Sequence, residues 1–146
     1  MKYQIICDSC GDFTPEMKAD SHFRMVPLSL EIGEYRIMDD ETFDQTDFIK
    51  RMAASSIGAK TACPSPEAFQ KAIEESDADE VYIVTLSDQL SGTYQAAKSA
   101  LISIRSPMKI LPRRFICLTP SPLPPVSASF AWIFENVRKP VSVLWK

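Results

Sequence analysis

The chain has 146 residues, of which 45% are apolar and 24% charged, and a net charge of −3. Those values describe one globular domain with a core, and they exclude a disordered chain and argue against nucleic acid as a partner. No apolar run approaches membrane-spanning length, and MKYQIICDSC carries no long apolar leader, so the sequence predicts a cytoplasmic protein.

Tyr3 to Cys7 forms a short apolar strand that ends in Asp8, Ser9 and Cys10. Thr14 followed by Pro15 marks a helix start, with cap and first-turn proline in their preferred places. Phe23 to Ile32 alternates as a strand, and Gly33-Glu34 turns it toward Tyr35 to Met38 as a hairpin at a sheet edge. Thr46 to Ala54 places Phe48, Ile49 and Met52 on one face of an amphipathic helix. In the loop KTACPSPEAF, Ser65 and Pro66 start a second capped helix, which runs through Glu75. Val81 to Leu86 is an apolar, partly β-branched strand, followed by the polar loop Ser87, Asp88, Gln89. Ser91 is then expected to cap a helix whose Tyr94, Ala97 and Leu101 share a face. Strands alternating with helices in this way predict an α/β fold with a mostly parallel sheet flanked by helices.

The Ser-Gly-Thr turn at Ser91 carries the chemistry that local pattern can show. Helix amides and two hydroxyls converge there at the carboxyl end of a strand, where α/β sheets collect anionic head groups. Taken alone, Ser91 reads as a helix cap, Thr93 as a first-turn backbone partner, Thr61 as a residue that orders its loop, and Asp8 and Ser9 as partners of strand-end amides. Tyr94 and Phe69 read as core.

Cys7 and Cys10 form a CxxC that opens a redox or metal-binding alternative. Cys63 and Cys117 are isolated and His22 is the one histidine, so a zinc ligand set lacks its second pair. Cys7 falls in a strand pattern, where a redox motif would stand at a helix start. Serine catalysis would need a base and a GxSxG elbow, and phosphoryl transfer a glycine-rich loop with lysine; the sequence has neither motif. A ligand carrier is expected in place of an enzyme, with no cofactor and no metal.

Beyond residue 101 the texture changes. Seven of the 11 prolines and none of the four glycines lie in the last 40 residues. Residues 1 to 106 hold 10 basic and 18 acidic side chains, and residues 107 to 146 hold 6 basic and one acidic. Such a split marks a linker or basic tail, although Phe115, Phe130, Trp132, Phe134 and Trp145 suit neither. The expected division is an α/β domain over 1–101 and an irregular tail over 102–146.

Asp8-Ser9, VPLSLEIG at Val26 to Gly33, KTACPSPEAF at Lys60 to Phe69 and LSGTYQAAKSA at Leu90 to Ala100 together resemble the N-terminal half of a DegV-family protein. The resemblance covers residues 3 to about 101, and its specific parts are the loop at Thr61 and the turn at Ser91. It implies a binding subunit, also called FakB, of a bacterial fatty acid kinase. The ligand it implies is a long-chain fatty acid, with the carboxylate at Thr61 and Ser91 and the tail in an apolar tunnel. Thr93, Ser9 and Asp8 become secondary ligand-site candidates. The implied partner is a separate ATP-dependent catalytic subunit of FakA type, which phosphorylates the bound acid. The position after Thr61, commonly serine in the family, is Ala62 here.

The family's second domain has a DSxSASxG-like turn that this chain lacks. Leu118 to Ser127, LTPSPLPPVS, can be encoded so that a shift of one base reads DSLSASAGE. The expectation is a slip of reading frame between Ala100 and Pro107, which leaves an accidental tail, no second domain, and a fragment that is a candidate for having no activity.

Overall fold

The computed structural model describes residues 2–11, 13–104 and 114–118. β1 (Tyr3–Asp8) leads through α1 (Pro15–Ala19) to β2 (Phe23–Val26), which pairs parallel to it with Asp8 opposite Val26. The chain then leaves this sheet. β3 (Ser29–Ile32) and β4 (Tyr35–Met38) make an antiparallel hairpin, α2 (Gln45–Ala54) follows, and β5 (Lys60–Ala62) pairs antiparallel to the other side of β3. α3 (Pro66–Glu74) returns to β6 (Glu80–Val84), parallel to β1, and α4 (Thr93–Ile104) leads to β7 (Arg114–Leu118), parallel to β6. The result is a four-stranded parallel sheet in the order β2-β1-β6-β7, beside a three-stranded antiparallel sheet β4-β3-β5.

Local chemistry accounts for the helix starts. Thr14 accepts a bond from the Met17 amide at 3.3 Å, with Pro15 in the first turn. Ser65 does the same for Ala68 at 3.3 Å before Pro66, and Asp44 for Asp47 at 3.0 Å. Arg51 holds α2 against β4, with its guanidinium 4.3 Å from the centre of the Tyr35 ring.

The parallel sheet is buried on both faces, which explains the unbroken apolar runs of its central strands. Ile6, Val81 and Ile83 face one cluster with Phe69, Ala72 and Ile73 of α3 and Ala96, Ala97 and Ala100 of α4. Their neighbours Ile5, Cys7, Tyr82 and Val84 face the opposite cluster, against which Phe13, Met17 and Phe23 pack. The small alanines of α4 let that helix approach α3 and the sheet closely.

Two boundaries differ from the sequence expectation. The single strand expected over Phe23 to Ile32 is two strands in different sheets, because Pro27 has no amide to continue a ladder. At that crossing the Ser9 hydroxyl accepts the Leu28 amide at 3.0 Å, and the Leu28 carbonyl accepts the Asp39 amide at 2.9 Å. In addition, β7 lies inside the stretch expected to be an irregular tail and extends the parallel sheet by one strand. The remaining calls on that tail, including the shifted stretch from 119 onward, lie outside the described residues.

Candidate functional site

The candidate site is built at the carboxyl ends of β1 and β6. Asp8, only 3% exposed, spends both carboxylate oxygens on backbone amides, accepting from Leu86 at 2.6 Å and from Cys10 at 3.3 Å. Burial pushes its carboxyl above the ordinary value, and the two amide bonds oppose that shift. Asp8 therefore ties the end of β1 to the start of the β6–α4 loop, two residues past β6.

From Leu86 the loop is held by its own backbone. The Thr85 hydroxyl donates to the Leu86 carbonyl at 3.0 Å, and the Ser87 carbonyl accepts the amides of Leu90 at 2.9 Å and Ser91 at 3.0 Å. The Gly92 carbonyl accepts the Ala96 amide at 3.0 Å, the first helical bond of α4. Gly92 thus occupies the cap position expected for Ser91, which stands one residue earlier. The Ser91 hydroxyl still serves the helix start, accepting the Thr93 amide at 3.3 Å and sharing a 2.8 Å bond with the Thr93 hydroxyl. Ser91 is half-buried and Thr93 fully buried, so Ser91 is the hydroxyl of the pair nearer to solvent.

The first turn of α4 contains no acidic residue, whereas those of α1, α2 and α3 contain Glu16, Asp47 and Glu67. Its positive end is left without a carboxylate of its own. Next to it Leu90 is an apolar side chain 70% exposed. Head-group chemistry for an anion and a greasy surface adjoin within two residues.

Thr61 lies in the other sheet. It is the middle residue of β5, opposite Leu30, and is exposed. One residue past that strand, Cys63 places its sulfur 3.3 Å from where a β-carbon on Gly92 would lie. Along the chain Thr61 stands two residues before Cys63, and Ser91 one residue before Gly92. Asp8, Ser9 and Thr93, like Ser91, have polar side-chain atoms in hydrogen bonds that order the surrounding chain. Sequence reasoning missed Cys63 and the exposed Leu90 as neighbours of this turn, since neither residue type signals a site by itself.

The cysteine motif has the wrong electrostatics for redox work. Burial, and secondarily the Asp8 carboxylate, push the Cys7 thiol far up, and they push that of Cys10 up to about 11. A nucleophilic thiolate needs the opposite shift. No group of three metal-ligating side chains occurs among the described residues. His22 bonds Asp20 at 2.7 Å and stacks on Tyr3 with ring centres 4.4 Å apart. No helix among the described residues is long and apolar enough to cross a membrane.

Comparison with known proteins places these features in a family. The DegV family model matches residues 2–112. A DegV domain-containing protein of Streptococcus gordonii is 32% identical over 102 residues, which make up 68% of this chain and 36% of that relative. This chain therefore spans about a third of the length of the curated relatives it matches. Among solved structures, a DegV-family protein of Ruminococcus gnavus described with vaccenic acid is 37% identical, with a TM-score of 0.74 over 80% of this chain and 41% of that one. The Streptococcus pneumoniae fatty acid kinase (Fak) B3 protein, loaded with linoleic acid, is 28% identical, with a TM-score of 0.65 over 80% of this chain and 41% of that one.

Proposed function

As the chain belongs to the DegV family, we propose that it contributes to binding a long-chain fatty acid, with Ser91 and Thr61 as the residues that meet the carboxylate. The observation that carries this is the amino end of α4, which has hydroxyls and no acid in its first turn and lies against Cys63, one residue past the Thr61 strand. Similar proteins described with vaccenic and linoleic acids supply the ligand class.

Magnitudes divide the labour between head and tail. A hydrogen bond to a charged group contributes about 1.5–3 kcal/mol, while each buried methylene contributes about 0.8 kcal/mol. Half a dozen buried methylenes rival both hydroxyls together. Affinity then resides mainly in the acyl chain, beginning at surface such as Leu90, and the hydroxyls fix which end of the molecule lies at α4.

Neither hydroxyl needs activation as a nucleophile for this role. Phosphorylation of the bound acid is assigned to a separate ATP-dependent kinase subunit, to which this protein presents the carboxylate. The test is competition for the purified chain among a fatty acid, its methyl ester and its alcohol. The acid should bind at least tenfold more tightly than the ester, and Ser91→Ala should narrow that gap. Equal affinity for all three would overturn the carboxylate assignment.

A further inference from the structure

We propose that Cys63 is a positioning residue, a spacer that seats the Thr61 strand against the Ser91 turn and requires residue 92 to be glycine. The proposal rests on the carboxylate site proposed above. Glycine is demanded either by conformation or by space, and the two causes separate here. Gly33 is the one glycine among the described residues with a positive φ, at 60°, and a β-carbon there would meet Ile57 at an ordinary 3.7 Å. Gly92 has no such backbone demand. A β-carbon there would sit 3.3 Å from the Cys63 sulfur, tighter than ordinary packing, and nothing lies within 4 Å at Gly58. The reason for glycine at 92 is therefore close approach by Cys63.

That approach joins segments 29 positions apart in the chain. Cys63 follows an edge strand of the antiparallel sheet, and Gly92 caps a helix of the parallel one. The strand is three residues long and exposed throughout, so its own ladder holds it weakly. Cys63 packing on Gly92 sets how far Thr61 stands from Ser91. Both residues are exposed, and the thiol acts here by its size and softness, as a surface contact that a larger side chain would wedge apart.

A double-mutant cycle in the full chain tests this, with thermal midpoint and affinity for oleic acid as separate readouts. Gly92→Ala should lower the midpoint and weaken oleic acid binding at least tenfold. Cys63→Ser, nearly the same size, should bind within about twofold of the parent. The double variant Gly92→Ala with Cys63→Ala should recover most of both losses, since the added methyl then occupies the space the sulfur leaves. A Gly92→Ala protein that binds normally, or a double variant no better than Gly92→Ala, would overturn the spacer. Recovery of the midpoint in chains that never bind oleic acid, the parent included, would refute the carboxylate site and with it the positioning role.

Discussion

Replacing Asp8 by asparagine removes a charge while keeping the shape of the side chain, and the structure fixes what should follow. Two amides point at the carboxylate, Leu86 at 2.6 Å and Cys10 at 3.3 Å. Asparagine keeps one acceptor, which the closer Leu86 amide takes, and sets its NH2 against Cys10. The lost longer bond and the facing donors cost about 1–2 kcal/mol, reduced by relief from burying a charge. A net loss of about 1 kcal/mol is expected at pH 7. Asp8→Ala removes the 2.6 Å bond to the Leu86 amide as well and should cost about 3 kcal/mol. The pH dependence has a definite sign. Burial raises the folded carboxyl above its ordinary 3.8, so between that value and the raised one the folded state holds the proton more often than the unfolded state. Asp8 thus lends most stability in acid and loses it as pH rises through the window. Urea unfolding from pH 3.5 to 7 should show parent stability, minus that of Asp8→Asn, falling as pH rises. A difference that stays flat or grows with pH would refute this account of Asp8. Hydrogen exchange at Leu86 supplies a local check, since Asp8→Ala should speed it about tenfold or more.

Other consequences can be measured alongside. Thr61→Val and Ser91→Ala should each weaken fatty acid binding about tenfold, read by equilibrium titration, because each removes one bond to a charged group. Phe69→Ala should cost about 3–5 kcal/mol in chemical denaturation, since Phe69 is 0% exposed at the centre of the α3–α4 cluster. Gly33→Ala should cost about 1–2 kcal/mol by the same assay through its backbone, as φ is 60° there. The frame slip expected between Ala100 and Pro107 predicts an alternate frame that stays open past codon 130 of the gene; a stop codon in that frame before codon 130 would refute it.

Much of this fold was legible because its signals are local. Thr14-Pro15 and Ser65-Pro66 announce helix starts within four residues, and Ile5 to Cys7 and Val81 to Val84 are apolar without a break because both faces of their sheet are covered. What escaped notice depends on partners distant in sequence. β5 is three exposed residues, readable as a strand only once β3 is there to pair with it. Pro27 parts two strands that alternate as one, because it has no amide with which to continue the ladder. β7 was hidden by the proline-rich composition around Arg114–Leu118. At the site, the hydroxyls of Ser91 and Thr93 were visible as a motif. The contact between Cys63 and Gly92, 29 positions apart, belongs to the packing of two sheets and has no local signature.

The central claim is that this chain holds a long-chain fatty acid by its carboxylate end. Native mass spectrometry of the full chain, purified from a bacterial host without detergent, measures it most directly. The account predicts a bound species with the mass of a C16 to C18 fatty acid, released on denaturation and depleted in the Thr61→Val, Ser91→Ala double variant. A folded parent chain that carries no such mass, and takes none up when oleic acid is added, would contradict it.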